Sequence, residues 1–463
     1  MTATPSLENR GQTPSPKESD PDSQVRTNRL QRSLGMWFGI AVGVGGMIGA
    51  GILRAPADVA ARLPSPGLFL GAWVLGGIYA LLGANAIAEL ATIRPRSGGQ
   101  YVFVREALGP YAGFIVGWND WLSSAASVSA VAIVASEAIA ALVPSLNGQV
   151  LVIALFGVVV TAVVLVRGIR ESDRAQRWTS VMKAVALLVL IVACFSWRAL
   201  HRVPATTSAA PLAVPGGLAL VAAMAAALQG VIFAYDGWTG IVYYSGEVVN
   251  PGREIPRALA GGLISTIVLY LLINAAFLAV LPLSGIAASP LAAAGAASVV
   301  FGSNGGMIVQ LIIVLALPSA LVANTLNASR VIFAMSEDRL APAWFARVNR
   351  GGTPDAALVV TAVIAALFLL TGTFERLIAI CTFLFVASYA LSFLSVFVLR
   401  HREPDTPRPY RAWGHPWTTA AVLLGSLAFL VATLVADPRG AAVVGGLLVV
   451  SYPTFRFVTR RRA

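Results

Sequence analysis

Residues 43–51 read GVGGMIGAG, a run with five glycines in nine positions that lies near the middle of an apolar segment, residues 34–59. A second apolar segment, residues 216–249, is interrupted by AYDGWTG at residues 234–240, which places an acid and two glycines among apolar side chains. Glycine is a poor helix former. Because a segment that crosses a membrane must satisfy its backbone groups internally, breaks at this depth indicate a cavity lined by protein. The two stretches therefore predict a membrane protein with two broken helices.

The glycines of the first stretch also have a simpler interpretation. Gly45 and Gly49 have the spacing of small residues that let two transmembrane helices pack closely. The first segment alone does not distinguish close packing from a break. The matching interruption at residues 234–240 favours the break.

The composition supports the membrane assignment. Of the 463 residues, 57% are hydrophobic and only 12% are charged, where soluble domains have about 25% charged residues. The mean hydropathy of +0.77 excludes a disordered chain, and two cysteines are too few for a disulfide scaffold. The net charge of +12 does not indicate nucleic-acid binding, because the charges lie in short runs between apolar segments.

The apolar segments predict an all-α integral membrane protein with about twelve transmembrane helices. A polar cytoplasmic tail (residues 1–33) precedes a ten-helix core (34–400), two additional spans (401–458) and a basic cytoplasmic end (459–463). The predicted spans are 34–59, 68–90, 112–143, 149–166, 175–195, 216–249, 257–281, 305–332, 356–372, 374–399, 416–436 and 440–458.

The positive charges predict the orientation. With twelve spans both termini lie on one side of the membrane, and all but six of the 33 Lys and Arg residues fall on that side. Cytoplasmic loops carry the excess of Lys and Arg. We therefore expect a multi-pass protein of the cell membrane with both termini in the cytoplasm. The six exceptions are Arg54, Arg62, Arg198, Arg202, Arg376 and Arg439.

The interrupted segments are the first and the sixth, which are corresponding members of two groups of five helices. Because the second group starts on the opposite face of the membrane, the arrangement is an inverted repeat. Paired broken helices in such repeats point to a substrate site at the middle of the membrane.

The chemistry of the breaks indicates an amino-acid zwitterion as the ligand. A half-helix that restarts near Gly49 presents free N–H groups and a positive dipole end, which suit a carboxylate, whereas free carbonyls suit an ammonium group. The candidate substrate-binding residues fall into main-chain donors, carbonyl acceptors and an apolar gate. They are Ile48, Gly49, Ala50 and Gly51 for the carboxylate, Phe233 and Ala234 for the ammonium group, and Phe233, Tyr235 and Trp238 for the gate.

Three charged residues lie well inside the predicted spans, away from their ends. Asp236 either caps the restarting sixth helix or holds a substrate cation or a proton. Lys183 lies too deep in the fifth span for a loop residue. Its side chain either snorkels to the headgroups, or its ammonium group takes the place of a bound sodium ion against carbonyls of the broken first helix. In the second case Lys183 is the coupling residue. Asp120, at similar depth, is expected to form a structural pair with Lys183.

No pattern of catalytic residues is present in the sequence. The three histidines, His201, His401 and His415, are dispersed without metal-ligand spacing, and no nucleophile elbow or phosphate loop accompanies them. We therefore expect no enzyme, no metal site and no cofactor.

Several motifs together resemble the amino acid–polyamine–organocation transporters, and most of all their L-type amino acid transporter branch. The resemblance covers about residues 34–400. Its motifs are GMIGAGI at residues 46–52 with Pro56, AEL at 88–90, PRSGGQY at 95–101, FAYDGW at 233–238 running to Glu247, Asn250-Pro251, Arg253 and 255–257, and Ser329-Arg330 with RLAP at 339–342.

The resemblance implies a LeuT-like fold, a 5+5 inverted repeat with helices 1 and 6 broken, and alternating-access transport of amino acids by sodium-independent exchange or proton coupling. It places Lys183 at a fifth-helix lysine that occupies a sodium-like site. Animal members join a glycoprotein subunit through a cysteine between helices three and four, but residues 144–149 contain none, so no disulfide-linked heavy subunit is expected. The alternative functions are a channel, or a membrane receptor that binds an amino acid without moving it.

Overall fold

The computed structural model describes residues 34–96, 98–167, 172–201, 216–348, 354–370 and 373–460. The predicted tail and most of the predicted basic end lie outside these residues. In the described part the chain is almost entirely helical, with sixteen α-helices, three short 3-10 helices and a single isolated β-bridge between Leu34 and Val248. The predicted all-α fold class is confirmed.

The helices are numbered in chain order. They are α1 (Met36–Met47), α2 (Ala50–Arg62), α3 (Pro66–Ile93), α4 (Gln100–Leu108), α5 (Pro110–Leu142), α6 (Val150–Val166), α7 (Ser172–Leu200), α8 (Gly217–Tyr235), α9 (Pro251–Val280), α10 (Leu283–Ala288), α11 (Ala292–Phe301), α12 (Ser303–Glu337), α13 (Asp355–Leu369), α14 (Phe374–Arg402), α15 (Trp417–Ala436) and α16 (Pro438–Arg460). The 3-10 helices are Pro144–Leu146, Trp238–Glu247 and Ala343–Ala346.

Within the described ranges, nine helical segments are long and apolar enough to cross a membrane, and the bent pair α1 and α2 is a tenth. The two remaining predicted spans correspond to α6 and α13, which are apolar but only 17 and 15 residues long. The chain is thus a multi-pass membrane protein. Between the predicted spans 257–281 and 305–332 the chain also forms the short helices α10 and α11.

Several helix starts follow from local sequence. Proline occupies one of the first two positions of α3, α5 and α9, where its missing N–H has no intrahelical partner to lose. Gly109 precedes α5 with a φ of +96°, a conformation that favours glycine. These signals fix where the long spans begin.

The helices differ in how far they are enclosed by protein. In α5 and α14, 78% of the most apolar window is buried, against 17% in α16. On α6 the exposed side chains are apolar and recur on one face, at Val152, Phe156, Val159 and Val163. The exposed surfaces therefore face lipid, and α5 and α14 lie at the centre of the bundle.

Candidate functional site

The first predicted break is present between α1 and α2. Helix α1 ends at Met47, Ile48 and Gly49 leave the helical conformation, and α2 starts at Ala50 with a bend of 46°. Gly49 is extended, with φ −139° and ψ −152°. The first N–H groups of α2 have no intrahelical acceptor. The break therefore presents main-chain donors at the middle of the first span.

The second predicted break follows α8. The helix ends at Tyr235, Asp236 is extended with a ψ of 151°, and Gly237 has a φ of +104°. Only glycine adopts this left-handed conformation without strain. The chain continues in the 3-10 helix Trp238–Glu247, so the second half of this span is wound more tightly than an α-helix.

The two breaks lie against each other through their backbones. A Cβ atom on Gly237 would lie 2.8 Å from the carbonyl carbon of Gly46, and one on Gly51 would lie 2.5 Å from the Cα atom of Ala234. Neither space admits a side chain. Glycine at these positions lets the first and sixth spans meet at main-chain distance.

A cavity of about 130 Å³ lies at this junction. A single water molecule needs roughly 10–15 Å³ of comparable space, so the cavity has room for a small organic solute. Its lining combines α1, α2, the start of α4, α5, the second break with the 3-10 helix that follows it, α12 and α14. The polar lining side chains are Gln100, Asp120, Ser124, Ser127, Asp236, Thr239, Tyr243, Asn324, Asn327, Ser388 and Tyr389, and Phe233 and Phe385 are among the apolar ones.

Two carboxylates face the cavity, and each is held by a tyrosine. Tyr389 on α14 donates a hydrogen bond of 2.6 Å to Asp236 Oδ1. Tyr243 donates one of 2.7 Å to Asp120 Oδ2. Among the described residues that line the cavity there is no Lys or Arg. The side chains therefore make the cavity acidic, and a bound cation would be attracted to it.

Of the nine predicted substrate-binding residues, five line the cavity and four lie behind its wall. The cavity is lined by Gly49, Ala50, Gly51, Phe233 and Asp236, while the other four, Ile48, Ala234, Tyr235 and Trp238, are buried next to it without lining it.

Three of those four residues, Ala234, Tyr235 and Trp238, support the site from behind. The Tyr235 hydroxyl donates to the Trp73 carbonyl at 3.2 Å, and the Trp238 ring packs 5.2 Å from the Tyr389 ring. The Ala234 carbonyl oxygen lies 3.0 Å from the Tyr270 hydroxyl. These contacts hold both the second break and the tyrosine that binds Asp236.

Lys183 lies on α7 and is only 5% exposed, which agrees with a deep position in the fifth span. Its Nζ atom makes no hydrogen bond within the described part of the protein. The expected pair between Lys183 and Asp120 was wrong. The Tyr243 hydroxyl, carried by the 3-10 helix after the second break, binds Asp120 instead.

Sequence reasoning missed Gln100, Tyr243, Tyr389 and Tyr270 as parts of this region. Gln100 belongs to the PRSGGQY motif and accepts a hydrogen bond of 2.9 Å from Ser392. The tyrosines carry no local signal, because their partners are distant in the chain; Tyr389 and Asp236 are 153 residues apart.

Side-chain contacts join the helices at both membrane faces. At the face reached by α2, Phe233 contacts Phe374 edge to face at 5.9 Å, and the Arg54 guanidinium lies 5.4 Å over the Phe374 ring. At the opposite face, Asp338 after α12 binds Arg105 at 2.6 Å and Tyr101 at 3.1 Å, which joins α4 to α12.

Two broken spans that meet around a polar cavity inside a multi-helix membrane protein define the class of secondary transporters. The sequence profile of the family described as "Amino acid permease" matches residues 34–455, which is most of the chain. The chain therefore belongs to the amino acid permease family.

Similar proteins cover nearly the whole chain. The serine/threonine exchanger SteT of Bacillus subtilis is 28% identical over 94% of this chain and 99% of its own length. The b(0,+)-type amino acid transporter 1 of Mus musculus is 26% identical over 96% of this chain and 91% of its own. An uncharacterized transporter of Mycobacterium tuberculosis is 32% identical over 94% and 93%.

The family and the first two of these relatives are amino acid transporters. The predicted function, amino acid transport, is confirmed, and so is the prediction that the chain is not an enzyme.

Proposed function

We propose that the chain carries amino acids across the cell membrane by alternating access, driven by sodium-independent exchange or by proton coupling. The observation that carries the proposal is the acidic cavity where the two helix breaks meet. A solute bound there contacts both broken spans, so a change in their angle would open the cavity to one face and close it to the other.

The substrate carboxylate binds the start of α2. Residues Gly49, Ala50 and Gly51 line the cavity there, and Ile48 shapes the turn before them. The free N–H groups and the positive dipole end of a helix N-terminus suit an anion. Because Gly49 has no side chain and its Cβ position has no neighbour nearer than 3.9 Å, a carboxylate can approach these donors directly.

The substrate ammonium group binds on the side of the second break. The acceptors there are the Asp236 carboxylate and the Phe233 carbonyl, which accepts only a long bond of 3.3 Å from the Asp236 N–H. The Ala234 carbonyl contributes less, since it already accepts from Tyr270. Asp236 stands at mid-membrane with one oxygen held by Tyr389, which leaves the other for a substrate cation or a proton.

Phe233 serves as the apolar gate toward the α2 face, with Tyr235 and Trp238 as its supports. Its edge contact with Phe374 closes the space beneath Arg54. An aromatic ring in this position excludes water while the substrate is bound.

Lys183 serves as the coupling residue. Its buried Nζ atom makes no hydrogen bond among the described residues, which leaves it free to exchange a proton when the surrounding helices move. In an exchanger the Lys183 ammonium group takes the place of a bound sodium ion, so the transport cycle needs no added cation.

The test is uptake of a panel of labelled amino acids into proteoliposomes, with and without internal substrate and a pH gradient. We expect uptake to be accelerated by internal amino acid or by an inward proton gradient. Binding without accumulation would indicate a receptor, and passage without counterflow would indicate a channel; either result would contradict the proposal.

The role of Asp236 is tested by Asp236→Asn. Asparagine keeps an oxygen that can accept from Tyr389 but removes the charge, so we expect folded protein with at least about tenfold lower uptake, the effect of 1.4 kcal/mol. Asp355→Asn, at the start of α13 and away from the cavity, is the matched control. Unchanged uptake by Asp236→Asn would show that transport does not need the negative charge of Asp236.

Both termini are proposed to face the cytoplasm, as the distribution of Arg indicates. A tag at either terminus should then resist added protease in intact cells and be cleaved after the membrane is opened. Cleavage in intact cells would reverse the assignment.

A further inference from the structure

Asp120 lies on α5, toward the membrane face that is opposite to α2. Near its start α5 packs at Gly113 against Arg105, and near its end Glu137 lies 3.5 Å from Arg54. At about 1.5 Å per residue, Asp120 is about 10 Å from Gly113 and about 26 Å from Glu137 along the helix axis. The start of α2 is one turn from Arg54. Asp120 and the start of α2 therefore lie toward opposite membrane faces.

One face of α5 lines the cavity between these two levels. Asp120, Ser124, Ser127 and Val131 recur there at the three- and four-residue spacing that places side chains on one face of a helix. We call these residues the α5 stripe, which is roughly 16 Å long at 1.5 Å per residue. Because Gly49 and the first residues of α2 also line the cavity, main-chain donors lie toward one end of it and a carboxylate lies at the other.

The Asp120 carboxylate is held at its end of the cavity by Tyr243. The Tyr243 hydroxyl donates to Asp120 Oδ2 at 2.7 Å. The tyrosine is itself fixed against the segment before α4, because Gly98 N–H donates to its carbonyl at 3.3 Å and a Cβ atom on Gly99 would lie 2.5 Å from its ring. Asp120 is 7% exposed, so its charge lies within the protein at a fixed position.

The two ends of the cavity have opposite chemistry, and Asp236 lies at the second break between them. The charges of Asp236 and Asp120 act on each other, and no Lys or Arg lines the cavity among the described residues. A neutral amino acid brings one ammonium group, which Asp236 accepts. Asp120 would then remain buried without a counter-charge, which is costly. A second positive charge on the substrate removes that cost.

The wall that faces the α5 stripe also lacks a polar partner. Ser388 on α14 lines the cavity and is 2% exposed, yet its Oγ atom makes no hydrogen bond among the described residues. Buried hydroxyl groups are normally hydrogen-bonded. A ligand with N–H donors along this part of the cavity would satisfy the Ser388 hydroxyl.

We propose that Asp120 is a specificity-determining residue that accepts the terminal cation of a basic amino acid such as lysine, ornithine or arginine. The substrate carboxylate lies at the start of α2, its α-ammonium group at the second break, and its long side chain along the α5 stripe. The inference rests on the proposed function and names the substrate class of the same cavity. Tyr243 positions the carboxylate.

The first test compares lysine with norleucine, which has the same carbon chain without the terminal ammonium group. We expect the unaltered protein in proteoliposomes to have a KM for labelled lysine at least about tenfold below that for norleucine, as for a hydrogen bond to a charged group. Asp120→Asn should remove most of this preference and leave the KM for norleucine unchanged. Asp355→Asn, away from the cavity, should keep the preference.

A second variant tests where the substrate cation lies. Asp120→Glu keeps the charge and moves the carboxylate one methylene farther into the cavity. Ornithine, whose side chain is one methylene shorter than that of lysine, should then gain about tenfold in kcat/KM relative to lysine, the usual effect of one methylene in a fitted pocket. A carboxylate that only holds Tyr243 would give no such change.

A third measurement does not depend on transport. A ligand that binds only the folded state stabilises it. In detergent, lysine should therefore raise the Tm of the unaltered protein more than norleucine does at the same concentration. In Asp120→Asn the two amino acids should raise the Tm equally.

Three results would overturn the inference: equal KM values for lysine and norleucine in the unaltered protein, an undiminished lysine preference in Asp120→Asn, or a loss in that variant that is equal for both amino acids. Should Asp120→Asn fail to fold, the ornithine-to-lysine ratio of Asp120→Glu decides. Failure of the unaltered protein to accumulate any amino acid would instead refute the proposed function, and the Tm series would still test the role of Asp120 in binding.

Discussion

The two membrane faces of the molecule carry ionic clusters of opposite composition. At the α2 face, one guanidinium is shared by three carboxylates: Arg54 lies 3.2 Å from Asp58, 3.5 Å from Glu137 and 3.0 Å from Glu375. These residues belong to α2, α5 and α14. We call them the Arg54 cluster.

At the opposite face, one carboxylate is shared by two guanidiniums. Glu89 on α3 accepts hydrogen bonds from Arg400 at 2.8 and 2.6 Å and from the Ala412 N–H at 2.7 Å, and Arg408 lies 3.3 Å away. We call these residues the Glu89 cluster. It joins α3, the end of α14 and the segment that leads to α15.

The difference lies in how completely each cluster is satisfied. The Glu89 side chain is 1% exposed, and both of its oxygens accept close hydrogen bonds. The Arg54 cluster has three buried atoms without a hydrogen bond in the described part of the protein, Arg54 Nε, Asp58 Oδ2 and Glu137 Oε2, whereas the Glu89 cluster has one, Arg408 Nε. Three negative charges around one positive charge also repel one another. The Glu89 cluster is built as a permanent connection, whereas the Arg54 cluster is suited to separate when the α2 face opens.

The largest effect is expected from Glu89→Gln. The substitution leaves the guanidiniums of Arg400 and Arg408 close together with no carboxylate between them. The Arg408 side chain is only 5% exposed. Removing one partner of a buried ion pair costs about 3–5 kcal/mol. We expect a large loss of Tm and of monodisperse protein in detergent, measured by thermal unfolding and size-exclusion chromatography.

Glu106→Gln is the control for that substitution. Glu106 lies at the same face and also contacts an arginine, Arg94 at 3.4 Å, but its side chain is 26% exposed. Its effect should stay below about 1 kcal/mol, as for other ion pairs near the surface. Equal losses of Tm in both variants would show that the Glu89 cluster stabilises the protein no more than an ion pair near the surface does.

A smaller and different effect is expected from Arg54→Gln. Without the guanidinium, the three carboxylates favour separation of α2, α5 and α14, so the α2 face should open more often. The native thiol of Cys381 reports this, since it is fully buried and lies 3.6 Å from the cavity-lining Ser127 hydroxyl. In a Cys194→Ser background, we expect labelling of Cys381 by a membrane-impermeant thiol reagent to accelerate about tenfold, which corresponds to 1.4 kcal/mol.

Arg62→Gln is the matched control, because Arg62 lies on the same helix but is exposed. Its labelling rate should equal that of the Cys194→Ser parent. An unchanged rate in Arg54→Gln, or an equal acceleration in Arg62→Gln, would contradict a role for the Arg54 cluster in closing the α2 face.

Much of the fold could be predicted from the sequence because its signals are local. Apolar length determines the spans, and most observed helix ends lie within a few residues of the predicted ones; span 112–143, for example, is α5, Pro110–Leu142. The breaks were predictable for the same reason. Glycines that cannot sustain a helix lie in the chain where the helices end, at Gly49 and Gly237.

The partners of the charged residues could not be predicted, because they depend on which helices touch. Asp120 and Lys183 have similar depths, which suggested a pair, yet depth along a span says nothing about the direction of a side chain around it. The Tyr243 hydroxyl reaches Asp120 from a 3-10 helix whose tighter winding no sequence pattern indicated. The Glu89 cluster likewise depends on contacts across more than 300 residues.

The smallest effect is expected from Arg94→Ala, which sharpens the comparison within a single face. Arg94 is 49% exposed, and it contacts Glu106 at 3.4 Å and Glu403 at 3.1 Å. Surface pairs of this kind contribute about 0–1 kcal/mol and are screened by salt. Its change in Tm should therefore be small at low salt and vanish at high salt, while the loss in Glu89→Gln persists, because added ions do not reach a carboxylate that is 1% exposed. An equal dependence of the two Tm changes on salt would mean that solvent ions reach the Glu89 cluster. The two faces would then differ only in the sign of the charges that they share, not in how well their clusters are buried.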